Sequence, residues 1–211
     1  MALTGFDPEQ VKLSINNIVK AYNELIDQIG DRMQRGFVDG MSDKWACNQA
    51  QIFFTNFKTS IDYLNKQANL TFQSVVDAMN NAAIAWAEST ESTYSTTNVS
   101  LRLVSINIDN IVENINGVRG IDLQLSNSVS GILPMIQGSA LEALEHAKNA
   151  VVECGFIGGT QAESLISSLD TIGRIIESEI SKITDQSKNA IDDTIAAYSD
   201  VEGRVSQAFQ G

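Results

Sequence analysis

The sequence predicts an all-α protein built from two long helical hairpins, and three observations carry that expectation. Apolar residues recur at steps of three and four along most of the 211 residues, the spacing that collects side chains on one face of an α-helix. Only two prolines occur, Pro8 and Pro134, so long uninterrupted helices are permitted. Aromatic residues stand at two breaks in the pattern, Trp45 and Phe156, 111 positions apart.

Asp7-Pro8-Glu9-Gln10 reads as a helix start. Asp7 can cap backbone N–H groups, Pro8 suits the first helical position, and Gln10 stands three residues after the cap. The stripe Val11, Ile15, Ile18, Tyr22, Leu25, Ile29, Met33 then follows one face and fades near Gly36-Phe37-Val38-Asp39-Gly40. A second stripe runs after Trp45 through Ala50, Phe54, Phe57, Ile61, Leu64, Ala68, Thr71, Val75, Met79, Ala82 and Trp86. A helix over 48–92 would be about 65–70 Å long. Phe53, Phe54, Phe57 and Trp86 are expected in the core. Two adjacent stripes cover each other in an antiparallel hairpin, with the bend at Trp45 and Cys47.

The Ser/Thr/Asn-rich stretch 91–100 reads as a fraying end or linker, dividing the chain into units 1–97 and 98–211. The second unit opens with Leu101, Val104, Ile108, Ile111, Ile115 and Val118. That stripe favours a helix, although its β-branched residues make strand a competitor. Gly117, Gly120, Gly131, Pro134 and Gly138 interrupt it, which predicts a broken or extended first arm. The pattern resumes at Leu141, Leu144, Ala147 and Val151. A bend at Phe156 and Gly158 follows, then a long stripe from Leu165 through Ile172, Ile180 and Ile183 to Tyr198.

Composition excludes several functions. The net charge is −12 and the cations are not clustered, so nucleic acid and anionic membranes are disfavoured as partners. No apolar run of about 18 residues occurs, and the N-terminus lacks a signal-peptide pattern. A cytoplasmic location, or export without a cleavable leader, is therefore expected. Cys47 and Cys154 make no disulfide framework. His146 has no histidine or cysteine at metal-ligand spacing. No phosphate loop, nucleophile elbow or Cys-His context appears, so the expectation is a non-enzymatic protein without metal or cofactor.

Pro8-Glu9-Gln10-Val11, the bend Trp45-Ala46-Cys47 and the tail Tyr198-Ser199-Asp200-Val201-Glu202 resemble the Trp-X-Gly (WXG) family of helical-hairpin proteins of type VII secretion in Gram-positive bacteria. Cysteine stands here where the family has glycine, and only the second unit carries the Tyr-x-x-x-Glu tail. The resemblance implies that one chain holds two antiparallel hairpins as a four-helix-bundle-like pseudo-dimer, monomeric or homodimeric. One hairpin's bend would then lie near the other's helix ends. It also implies an export signal combining Trp45, as an exposed aromatic anchor, with Tyr198 and Glu202, read by a secretion ATPase; a Trp45 indole packed between the helices as a plug of the hairpin end is an equal expectation. Another WXG-like protein is a possible partner. The antiparallel arrangement places Cys47 and Cys154 at opposite ends, too far apart for a disulfide. Two alternatives stay open: a membrane-acting, pore-forming helical toxin, and a structural coiled-coil protein.

Overall fold

A two-residue strand, β1 (Gly5–Phe6), leads into α1 (Pro8–Ile26) in a computed structural model that describes residues 5–125, 131–157 and 161–210. The helix start forms as its residues dictate. The Asp7 carboxylate accepts from the backbone N–H groups of Glu9 and Gln10 at 3.0 and 3.2 Å, and Pro8 occupies the first turn. All seven residues of the expected stripe, Val11 to Met33, are fully buried. The helical path does not fade at Gly36. From Asp27 to Val38 it widens to i→i+5 hydrogen bonding, then closes with an α-turn at Asp39–Met41. Phe37, Val38 and Met41 keep the stripe in the core to the bend.

The bend itself is a short strand, β2 (Trp45–Ala46), followed by α2 (Asn48–Ser89). The expected core positions of α2 hold as far as Ala68 apart from Phe53, which is half-buried. Beyond it the buried face runs through Phe72, Val75, Val76, Met79, Ala83 and Ala87. Thr71, Ala82 and Trp86 are therefore only half-buried. Trp86 lines a shallow recess with Ala82, Ala85 and Ser89, a correction to its expected core position.

The expected helix over 101–118 does not form. After Ser89 the chain turns through Glu91, whose φ is +53°, and returns as an extended strap to β3 (Gly120–Ile121). β-branched residues suit extended backbone, and here side chains from the first hairpin take the place of a ladder. Asn80 receives the Thr97 N–H and donates to the Thr97 carbonyl. Tyr22 and Asn69 donate to the carbonyls of Arg102 and Leu101. Asp62 accepts from the Ile106 N–H at 2.9 Å, and the Gln34 amide exchanges two bonds with the Asn107 backbone. Val104 lies so close to Gly30 that a Cβ there would meet its Cγ1 at 2.7 Å. Ile106 and Ile111 are buried beneath the strap.

The second hairpin comprises α3 (Ile132–Val152), β4 (Phe156–Ile157) and α4 (Gln161–Gln210). Pro134 and Gly138 do not interrupt α3. Pro134 lies in its first turn, where a missing N–H costs nothing. Helix α1 packs on α2 and α3, and α4 on α2 and α3. The order around the bundle is thus α1–α2–α4–α3, with every neighbour antiparallel. One core cluster runs from Val11 to Ile191, so the two units share a single interior. The all-α four-helix bundle of two hairpins, the second with an extended first arm, is the fold expected.

The hairpins clasp each other reciprocally. The bend strand β2 pairs with β3, which precedes the second hairpin, and β4 pairs with β1, which precedes the first. The backbone repeats the exchange: Asp122 N–H donates to the Lys44 carbonyl, and Asp7 N–H to the Gly155 carbonyl. Gly155 is required there. Its φ is +78°, and a Cβ would stand 2.9 Å from the Gln10 Cβ and 3.0 Å from the Asp7 carbonyl oxygen.

Candidate functional site

The expected site residues divide between the two ends of the bundle. Trp45, Cys47 and Tyr198 lie at one end, where Cys47 and Arg119 are close enough to bias the Tyr198 phenol. Phe156, half-buried, lies at the other end against the start of α1. Gly158 lies outside the described residues. Cys47 and Cys154 are both buried and free, and the helical path between their ends, residues 8–41, corresponds to about 50 Å.

Trp45 is not an exposed anchor. It is 0% exposed, with its indole 5.5 Å from the ring of Phe53 and 6.1 Å from that of Phe54. Antiparallel pairing of β2 with β3 brings Ile121 over the bend, so the indole plugs the hairpin end. Its Nε1 is buried without a hydrogen-bond partner among the described residues. The reason is local. The bend ends one helix and starts the next within a few residues, and a large apolar ring is what fills the gap between them.

Phe53 carries the environment of Trp45 to the surface. It is half-buried, and it floors a groove of about 730 Å³ between the first turns of α2 and the distal part of α4. Phe57, Ile183, Ala190, Ala197 and Tyr198 complete the apolar lining, while Gln49, Asn56, Gln186 and Asn189 supply amides. Lys182 and Asp193 are its charged residues. Ile52, 56% exposed, stands at its edge. Burial, then the neighbouring Cys47, raise the Tyr198 phenol above its ordinary value, with Arg119 opposing. The phenol is therefore a neutral hydrogen-bond donor at physiological pH.

Glu202 lies one turn past Tyr198. From residue 199 to residue 208 every position of α4 is exposed, so the helix projects beyond the bundle as a free tip. Glu202 is on that tip, and Asp200 pairs with Arg204 at 3.4 Å. The sequence reading missed the groove. Its signal was the run Ile52-Phe53-Phe54, in which only Phe54 fits the buried stripe. The two extra apolar residues must face outward or sideways.

Among the described residues, no group of histidine, cysteine and carboxylate side chains could hold a metal ion. No described helix is long and apolar enough to cross a membrane. His146 makes an exposed cross-bundle pair with Glu24 at 2.9 Å. Comparison with protein-family models, curated proteins and solved structures gives no match.

Proposed function

We propose that this protein is a non-enzymatic cargo or export partner of a type VII-like secretion system. The system's ATPase would recognise the bundle end that carries Trp45, Tyr198 and Glu202. The observation supporting this reading is the juxtaposition of the first hairpin's bend with the second hairpin's tail. The chain has one Trp bend and one Tyr-x-x-x-Glu tail, on different hairpins, and Tyr198 lines the same groove as Gln49, Ile52 and Phe53 in the turns of α2 that follow the bend.

The residues take different roles from those in a fully exposed signal. Trp45 is a buried plug that fixes the bend, and through Phe53 it sets the floor of the groove that Tyr198 also lines. The contacting groups are the Tyr198 phenol, whose oxygen can accept, and the Glu202 carboxylate on the projecting helix, an acceptor and an anion for a cationic pocket.

Export from a host carrying such a system tests the reading. Tyr198→Ala and Glu202→Ala are expected to lower the exported fraction by about tenfold each, the scale of losing one charge-assisted contact. Their thermal midpoints should stay unchanged, because neither residue is in the core. Normal export of both variants would overturn the proposal.

A further inference from the structure

The tip of α4 and the groove beside it are made from one helix face. The residues of α4 that line the groove include Ile183, Ala190, Thr194, Ala197 and Tyr198. Continued at helical spacing, that face emerges on the tip as Val201, Val205 and Ala208. Val201 and Val205 are 47% and 48% exposed. The groove thus has an apolar floor without a cover, and the tip has an apolar stripe without a partner, on consecutive turns of the same helix.

We propose that the chain forms a two-fold homodimer in which each α4 tip lies in the groove of the other copy. A surface whose two halves adjoin on one helix closes on itself when two copies meet antiparallel, because each tip then covers the other's groove. The lengths agree. Residues 199–210 extend about 18 Å, and the groove-lining stretch 182–198 about 25 Å. Sliding the two helices until tip residues 199–210 face residues 187–198 sets the register. Val201 then falls between Thr194 and Tyr198 of the second copy, and Val205 between its Ala190 and Thr194.

Charge agrees with the same register. Arg204 stands opposite Asp193 of the second copy, and the symmetry makes this pair twice. Among the described residues of one chain, the ion pair of Arg204 is an exposed i,i+4 contact with Asp200. The groove amide of Asn189 faces the last turn of the incoming helix, as in other helix-in-groove contacts. The net charge of −12 per chain opposes association at long range, so the dimer strengthens as salt screens that repulsion. This inference does not rest on the export reading, and its measurement is independent of export.

Sedimentation equilibrium over about 1–100 µM tests it, with the full chain in ~150 mM salt. The wild type is expected to dimerise in this range. The double variant Val201→Glu/Val205→Glu is expected to weaken the dimer by on the order of 100-fold, from the apolar surface lost at both symmetric contacts. Its helix content and melting should be preserved, since the tip lies outside the core. Arg204→Asp and Asp193→Arg should each weaken dimerisation by about tenfold through like-charge contact. Combining the two should restore it to within about threefold of wild type. A wild type monomeric at 100 µM overturns the proposal, and so does a dimer indifferent to the valine changes. A charge-swapped pair no better than either single variant overturns the register and with it the proposal.

Discussion

Asn65 is 0% exposed, and among the described residues neither its amide nitrogen nor its carbonyl oxygen has a hydrogen-bond partner. It lies one residue past Leu64 on the buried side of α2. A buried amide left without partners costs about 1–3 kcal/mol. Asn65→Leu removes that cost and adds apolar surface, so it is expected to raise the urea midpoint with an unchanged slope, by about that amount. A midpoint at or below wild type would contradict this. Trp45 presents the opposite case: its orphan Nε1–H is outweighed by the area its ring buries. Sequence spacing puts the tryptophan between two helical stripes. It could not decide whether the ring faces out or in, because that depends on Phe53, Phe54 and the β2–β3 pairing closing over it. Asn65 was equally illegible, being one of many asparagines in the chain.

At the scale of elements, the strap separates local propensity from tertiary context. Its 3–4 apolar spacing fits a helix, and its β-branched residues fit an extended chain. The decision comes from Asp62, Gln34, Asn69 and Asn80, which satisfy the strap's backbone groups from outside. Asp62 is the central hook: its carboxylate holds the Ile106 N–H, the Ser105 hydroxyl and the Lys58 ammonium. Arg102 adds an exposed anchor to Asp27 and Asp31 at 2.7 and 3.0 Å, worth little by itself. Asp62→Ala should therefore loosen residues 101–108 locally. The expected reading is faster amide exchange at Ile106 and new proteolytic cleavage in this stretch, with global stability down by about 1–3 kcal/mol. Exchange at Ile106 as slow as in the wild type would show that apolar contacts alone hold the strap.

For the whole molecule, the two hairpins form one interior, and their loss is expected to be cooperative. Burial raises the Cys154 thiol and the Tyr22 and Tyr94 phenols above their ordinary values. The folded protein then holds protons that the unfolded chain has released. That contribution is fully present below the unfolded values, about 8.5 for thiol and about 10 for phenol. It is lost as pH rises through the raised folded values. The thermal midpoint should thus fall progressively as the pH rises above about 8.5. A midpoint constant over that window would contradict the assignment of these groups to the interior.

By itself the sequence determined the class and the length scale of this protein. The buried stripe of α1, the Asp7 cap, the first half of α2 and the bends at Trp45 and Phe156 all follow from spacing, and spacing is a local property. The tertiary structure decided what local spacing leaves degenerate. It turned Trp45 inward, drew residues 92–119 out as a strap and folded Pro134 into a first turn. It also left ten residues of α4 projecting beside a groove that they match. The physical reason is the same in each case. A stripe says that one face must be covered, and only the assembled bundle says by what.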